Sequence, residues 1–134
     1  MEEGRKTSRS QTDLDPLSGA VIGAAIEVHK ALGPGLLESA YQISLEAELE
    51  HQGIVFRSQV ELPVSYRDRE LDCGYRLDLL IENRIIVELK SVSALQPLHE
   101  AQLLTYLKLS NLSTGLLINF NTPVLHRGIK RLSL

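Results

Sequence analysis

The sequence is poor in several residue types that define protein classes. It has no Trp, one Cys and one Met, and aromatic residues make up only 4% of its 134 positions. A single Cys excludes a disulfide framework, or a metal site of several cysteines, within one chain. No apolar run approaches the roughly 18 residues that a transmembrane helix needs, and the polar start lacks a signal-peptide core. We therefore expect a cytoplasmic protein without a membrane partner.

An excess of positive charge is missing as well. The net charge is −3 and the isoelectric point is near 5.8, which is not typical of a protein that binds nucleic acid over its whole surface. Such a surface would have to be a local patch, for which the cluster of Arg127, Lys130 and Arg131 is the clearest candidate. A solvated, charged chain end explains this cluster equally well.

Length and hydrophobic periodicity predict a flexible polar leader over residues 1–15 and a single domain over residues 16–134. Apolar residues at helical spacing predict three helices, at Leu17–Leu32, Leu36–His51 and Leu98–Leu109. Strand-like segments follow at Val55–Gln59, Leu62–Tyr66, Glu70–Leu80, Arg84–Leu89, Gly115–Phe120 and Gly128–Leu132. This order indicates an α/β fold in which helices flank one mixed sheet.

Charged residues interrupt the apolar hairpin YRLDLLIENRIIVELKS at residues 75–91. Side chains alternate along a strand, so Glu88 and Lys90 share a face. A three-residue loop at Glu82–Arg84 would place Asp78 directly opposite Glu88. A two-residue loop would place the two carboxylates on opposite faces of the sheet.

Two facing carboxylates destabilise a hairpin unless a cation lies between them. Oxygens from Asp78 and Glu88, with the backbone carbonyl of Leu89, would form a hard-oxygen set suited to Mg²⁺ or Mn²⁺. Lys90 could then orient a water or contact a phosphoryl oxygen. The simpler interpretation is an edge hairpin whose polar face meets solvent.

Two of the predicted helices offer further polar groups. Glu38 continues the apolar stripe that includes Tyr41, which predicts a carboxylate pressed against the sheet and in need of a cation or hydrogen-bond donors. The alternative is an exposed first-turn Glu that complements the helix dipole. On the third helix, His99, Gln102 and Tyr106 share one stripe. Gln102 and Tyr106 could hold a phosphate or a water near a metal, or serve as ordinary surface and packing residues.

The order of these residues resembles the PD-(D/E)XK nuclease superfamily, whose pattern runs over helix, strand, strand and helix. The matching residues are Glu38, Asp78, Glu88-x-Lys90 and Gln102-x-x-x-Tyr106, of which the last element is similar to the RecB-like branch. The segment LGPGLLESAY is similar to the motif that names the GxxExxY proteins, with Gly35, Glu38 and Tyr41 at the required spacing. Two later segments, ELKSVSALQPLHEAQLLTYLKLS and GLLINFNTPVLHRGIKRL, also resemble that family, so the resemblance covers about Leu17 to Leu132.

The resemblance implies a restriction-endonuclease-like αβββαβ core and metal-dependent cleavage of phosphodiester bonds in DNA, with Mg²⁺ or Mn²⁺ as cofactor. The implied roles are metal binding for Glu38, Asp78 and Glu88, orientation of the attacking water for Lys90, and support of the site or contact with nucleic acid for Gln102 and Tyr106. Two features depart from the pattern. Leu77 stands where the superfamily name has Pro, and the cysteines of iron–sulfur RecB-like nucleases are missing, so no iron–sulfur cluster is expected.

Other interpretations stay open. Some RecB-like nucleases use an upstream His as a manganese ligand, which would be His29 here, although a polar residue near a helix end is the simpler account. A nuclease fold that binds or scaffolds without cutting, acting with a nucleic-acid-processing partner, is the main rival. A hydrolase of small molecules is a third possibility. A core of this size offers little surface for a substrate, so we expect a homodimer or a partner protein.

Overall fold

Two helices begin the fold and pack on one face of a five-stranded sheet, and a third helix packs on the other face. The computed structural model describes residues 15–72 and 74–134. Its helices are α1 (Pro16–Leu32), α2 (Glu38–His51) and α3 (Pro97–Ser110). Its strands are β1 (Phe56–Glu61), β2 (Val64–Tyr66), β3 (Arg69–Leu71), β4 (Arg76–Ile81), β5 (Ile85–Lys90), β6 (Thr114–Asn119) and β7 (Ile129–Ser133). A short 3₁₀ turn, Leu125–Gly128, precedes β7.

The predicted leader falls outside the described residues except for its last residue, and Cys73 falls outside them as well. Asp15 is the N-cap of α1, where its carboxylate accepts hydrogen bonds from the backbone N–H of Leu17 (3.1 Å) and the hydroxyl of Ser18 (3.0 Å). These bonds satisfy groups that a helix start leaves without partners. Pro16 at the first helical position needs no such partner.

The first two helices match their predicted positions closely. The helix α1 ends at Leu32, where Gly33 takes a positive φ of 70° and its N–H donates to the carbonyl of His29. The helix α2 begins at Glu38, two residues later than predicted. The intervening loop, residues 33–37, reverses the chain so that α2 returns across the same face of the sheet.

The five strands of the main sheet are ordered β1-β4-β5-β6-β7. The pair β5–β6 is parallel and the other neighbouring pairs are antiparallel, which confirms the predicted mixed sheet. The segment predicted to be buried on both faces is β6, whose residues from Gly115 to Asn119 are all buried. The centre of the sheet is therefore its driest part.

The prediction of one strand over Glu70–Leu80 is wrong. The segment divides into β3, which pairs with β2 in a separate two-stranded sheet, and β4, which belongs to the main sheet. Gly74, between them, has a φ of +70°, which is incompatible with continuous extended backbone. The β2–β3 hairpin is consequently inserted between β1 and β4, at the end of the sheet where β4 begins.

Apolar side chains pack on both faces of the main sheet. On one face, α1 and α2 pack on β5 and β6 through residues including Val21, Tyr41, Leu45, Val87 and Ile118. On the other face, α3 packs on the same two strands through Leu103, Leu107, Ile86 and Leu117. None of the described helices is both long enough and apolar enough to cross a membrane.

Candidate active site

The hairpin β4–β5 has the register that a three-residue loop predicts. Its backbone pairs are Ile81–Ile85, Leu80–Ile86 and Leu79–Val87. Glu82 and Asn83 in the loop have φ values of 49° and 55°, so both take the left-handed conformation, which Asn tolerates better than most residues. Continuing this register by one residue brings Asp78 beside Glu88.

At that point side chains replace backbone groups as hydrogen-bond partners. The N–H of Asp78 donates to Oε2 of Glu88 (2.9 Å), and the N–H of Leu89 donates to Oδ2 of Asp78 (2.8 Å). Both carboxylates therefore lie in the gap between β4 and β5. The N–H and C=O of a residue in an extended strand point the same way, so the carbonyl of Leu89 also faces Asp78.

This pair is strongly perturbed electrostatically. Glu88 is only 6% exposed, and burial, with the negative charge of Asp78, raises the pKa of Glu88 to about 8. Burial also raises the pKa of Asp78, although the Leu89 N–H and the charge of Lys90 oppose the rise. Two acids held this close without a cation favour sharing a proton over ionising together.

Glu38 is the first residue of α2 and is exposed, so the prediction that it presses against the sheet is wrong. The helix begins at the margin of the sheet, and its buried stripe starts one turn later, at Tyr41. Glu38 nevertheless lines a pocket of about 210 Å³ together with Asp78, Gln42 and Gln59. Partial burial and the charge of Asp78 raise the pKa of Glu38.

The loop that precedes Glu38 is held against the core by Tyr41. The hydroxyl of Tyr41 donates to the carbonyl of Gly33 (2.6 Å) and accepts from the N–H of Leu36 (3.1 Å). The ring of Tyr41 is fully buried and stacks on Phe120, with ring centroids 4.5 Å apart. The Tyr of the segment GLLESAY is therefore a structural clamp on the residues that precede Glu38.

A second clamp joins this loop to the end of β5. The hydroxyl of Ser91, which follows Lys90 in the chain, donates to the carbonyl of Leu36 (2.6 Å). Lys90 is partly buried, and its positive charge opposes the rise in the pKa of all three carboxyls, Glu38, Asp78 and Glu88. The structure thus brings the predicted amine and the three predicted acids into one neighbourhood.

The helix α3 borders the same neighbourhood from the opposite face. Tyr106 is 6% exposed, and burial followed by the negative charge of Glu88 raises the pKa of its hydroxyl. Its ring contacts Tyr75 edge-on, with centroids 6.2 Å apart. Gln102 lies one turn earlier on α3 and lines, with Tyr106 and Tyr75, a surface groove of about 440 Å³.

Two histidines considered in the sequence have structural partners. Nε2 of His29 donates to the carbonyl of Thr122 (2.7 Å), which favours the structural interpretation of that residue over the metal-ligand one. Nδ1 of His99 accepts from the backbone N–H of Gln96 (3.0 Å) and completes a capping box at the start of α3. His99 therefore stabilises the helix that carries Gln102 and Tyr106.

Two glutamines near Asp78 were not anticipated. Nε2 of Gln42 donates to the carbonyl of Asp78 (3.0 Å), and the side-chain amide of Gln59 lies near the Asp78 carboxylate, where it opposes the rise of the pKa of Asp78. Gln42 could have been found, because it stands four residues after Glu38 and shares its side of α2. Nothing in the spacing indicates Gln59, which lies in an exposed stretch of β1.

The predicted basic cluster is divided between two parts of the fold. Lys130 forms an ion pair with Glu100 of α3 (3.1 Å), and the neighbouring Arg131 forms one with Asp15 at the start of α1 (3.6 Å). Alternation along β7 sends the two side chains to opposite faces. These residues therefore do not form one continuous basic patch.

A cavity of about 470 Å³ lies far from the acids, at the loop end of the β4–β5 hairpin. Asp15, Arg84 and Lys108 are among its lining residues. Arg84 is 3.6 Å from Asp15, so charges in this cavity are partly neutralised within the fold. The cavity contains none of the predicted site residues.

The donor chemistry of the acidic pair suits a divalent metal. Asp78 and Glu88 present hard oxygens in one gap, the carbonyl of Leu89 faces it, and a cation there would relieve the repulsion that raises the pKa of Glu88. Within residues 15–72 and 74–134, however, no three His, Cys, Asp or Glu side chains form a group able to hold a metal ion. Glu38 thus does not complete a three-carboxylate cluster in this structure.

Comparison with known protein families agrees with this geometry. A family model described as the PD-(D/E)XK nuclease superfamily matches residues 15–132. The chain therefore belongs to that superfamily, and its mixed sheet with helices on both faces is consistent with the restriction-endonuclease-like fold. Neither the curated proteins nor the solved structures include a significant match.

Proposed function

We propose that this protein is a metal-dependent nuclease that hydrolyses phosphodiester bonds in DNA, with Mg²⁺ or Mn²⁺ as cofactor. The observation that carries the proposal is the pair of half-buried Asp78 and buried Glu88 in the gap between two strands, with Lys90 beside it. Membership of a nuclease superfamily over residues 15–132 supports the same conclusion.

In this proposal the metal is held by Asp78, Glu88 and Glu38, with the carbonyl of Leu89. When bound, it supplies a water of lowered pKa and neutralises charge on the phosphoryl oxygens. The pair Asp78 and Glu88 fits this role because its crowded charges favour a cation. Glu38 fits because its carboxyl shares a pocket with Asp78, directly after a loop that two hydroxyl groups hold in place.

The remaining residues act on the substrate. Lys90 places an ammonium group near the carboxylates, where it would orient the attacking water and stabilise negative charge that develops on the phosphoryl group. Tyr106 and Gln102 would support the site or contact nucleic acid along the groove that they line with Tyr75. We also assign the chain to the RecB-like branch and the GxxExxY group, on the spacing of its motifs.

Loss of either the Asp78 carboxylate or the Lys90 ammonium group should abolish cleavage. Asp78→Ala and Lys90→Ala should each lower the rate of DNA cleavage by roughly 10²–10³-fold, the effect typical of removing one group that stabilises the transition state. Lys108→Ala, which removes an exposed Lys at the far end of α3, is the matched control and should cut at the wild-type rate. Cleavage is measured with a labelled oligonucleotide in Mg²⁺, and again in excess EDTA, where it should stop.

Full activity of Asp78→Ala or Lys90→Ala would contradict the assignment, as would cleavage that persists in EDTA. Circular dichroism and thermal unfolding of each variant show whether the fold is intact. Activity lost without loss of fold is the result that we expect.

A second candidate function is a nuclease-fold binding or scaffold protein that does not cut, acting as a homodimer or with a nucleic-acid-processing partner. The absence of a ligating group of three acids or histidines among the described residues favours this candidate, as does the net charge of −3. Calorimetric titration with Mg²⁺ or Mn²⁺ separates the two candidates. A nuclease site should bind metal and raise the unfolding temperature, whereas a scaffold need do neither.

A further inference from the structure

Gln59 has an unusual backbone conformation for its place in the fold. It lies inside β1, yet its φ is +51°, in the left-handed region that a non-glycine residue adopts at a cost. Such strain persists only where surrounding contacts impose it, and it is concentrated at functional sites. The other non-glycine residues with positive φ in the described chain lie in turns or at a helix end, at Arg67, Asp68, Glu82, Asn83 and Asn111.

The distortion at Gln59 coincides with a change in how β1 and β4 face the core. Their pairing runs from Phe56–Ile81 to Ser58–Leu79 and resumes at Val60–Leu77, so Gln59 stands opposite Asp78. On one side of this point, Phe56 and Leu79 pack towards α1 and α2; on the other, Val60 and Leu77 pack towards α3. Regular alternation would keep Leu77 and Leu79 on one face. Both strands therefore reverse their faces at Gln59 and Asp78.

The side chain of Gln59 is directed at the same acid. Its amide lies near the Asp78 carboxylate, where it opposes the rise of the pKa of that acid, and it lines the pocket that contains Glu38 and Asp78. Asp78 thus has one contact on each side: the Leu89 N–H from β5 and the Gln59 amide from β1. The backbone conformation of Gln59 places its side chain at this position.

We propose that Gln59 is a positioning residue of the nuclease site: its strained backbone turns the amide towards Asp78 and holds that carboxylate facing Glu88 in the gap where a metal would bind. This inference rests on the proposed function, because it assigns Asp78 to the metal. It adds a residue from β1 to a site that otherwise draws on α2, β4, β5 and α3.

Two substitutions separate the side chain from the strain. Gln59→Ala keeps the strained backbone and removes the amide, so it should weaken Mg²⁺ binding and cleavage by about 10–100-fold, the effect typical of losing a partner that orients a metal ligand. Gln59→Gly also removes the strain, so it should lose the same activity while the unfolding temperature rises by about 2 °C. Stability and activity then change in opposite directions.

Glu82→Gly is the matched control, because Glu82 has nearly the same φ, 49°, at the loop end of the hairpin. It should gain similar stability and keep wild-type cleavage and Mg²⁺ affinity. The readouts are Mg²⁺ affinity by calorimetry, the Mg²⁺ concentration that gives half-maximal cleavage, and thermal unfolding. Wild-type metal affinity and cleavage in both Gln59 variants would overturn the inference.

A double-mutant cycle distinguishes failure of this inference from failure of the proposed function. The unfolding of Gln59→Ala, Asp78→Ala and the double variant is compared without metal, so the result does not depend on catalysis. A double variant whose change in unfolding free energy differs from the sum of the two single changes shows that the two side chains are coupled, and exact additivity would overturn the contact. The cycle could show coupling while the wild-type protein neither binds metal nor cleaves DNA. That result would establish the contact between Gln59 and Asp78 but refute the nuclease proposal, and with it the role of the contact in catalysis.

Discussion

The two ends of the β4–β5 hairpin differ in how the polar groups of the backbone find hydrogen-bond partners. At the loop end, Ile81 and Ile85 continue a regular backbone ladder and both are buried. At the other end, the ladder gives way to bonds between backbone N–H groups and the carboxylates of Asp78 and Glu88. One end satisfies its polar groups with backbone partners, and the other uses charged side chains in a gap.

Under the proposed function, the difference separates the part of the hairpin that stabilises the fold from the part that would carry the chemistry. The loop end gains free energy from apolar burial and complete hydrogen bonding. The acidic end retains buried carboxyls that destabilise the protein unless they are protonated or bound to a cation. We therefore expect substitutions at the loop end to change stability, and substitutions at the acidic end to change activity.

The largest expected effect is on cleavage, when the same Glu→Gln substitution is made separately at each end of the hairpin. Glu88→Gln removes a carboxylate of the acidic pair with little change in shape, and should lower cleavage by roughly 10²–10³-fold. Glu82→Gln makes the same change in the exposed loop and should leave cleavage unchanged. Steady-state cleavage by the two purified variants provides the comparison. Equal activity of the two would remove the distinction between the ends.

The next effect is a loss of protein stability when a buried residue near the loop end of the hairpin is truncated. Ile86 is fully buried beneath α3, so Ile86→Ala should lower the free energy of unfolding by about 2–5 kcal/mol. Ile43→Ala, at a position of α2 that is 68% exposed, should change it by less than about 0.5 kcal/mol. Urea unfolding measures both values. A small loss at Ile86 would mean that the loop end is not the stabilising part.

The smallest effect is the pH dependence of stability without metal. Because the folded-state pKa of Glu88 is raised to about 8 from 4.5, the folded protein binds more protons than the unfolded chain between these values. Stability should therefore fall as pH rises through this window, with the loss complete above the folded-state pKa. Unfolding in urea at a series of pH values in EDTA tests this. Glu88→Gln should flatten the profile, and saturating Mg²⁺ should oppose the fall; a wild-type profile without this slope would contradict the assignment.

Much of the site could be predicted because it depends on local periodicity. The opposition of Asp78 and Glu88 follows from a three-residue loop and the alternation of a strand, and both were found. The exposure of Glu38 could not be deduced, because the helical stripe does not tell where α2 begins relative to the sheet. The break between β3 and β4 at Gly74 and the left-handed backbone of Gln59 were not predicted, because a periodic pattern assumes extended backbone throughout a strand. Sequence patterns thus predicted the regular pairing of the strands better than the positions at which that pairing is interrupted.

The bond between Ser91 and Leu36 has a consequence for the order in which the protein is made. It joins positions 55 residues apart, and the ring of Tyr41 in α2, which holds the same loop, stacks on Phe120. A nascent chain emerging from the ribosome therefore carries Glu38 long before the partners that fix its place have been synthesised. If the proposed function holds, a product truncated before Phe120 would contain Glu38, Asp78 and Glu88 without the contacts that fix the position of Glu38.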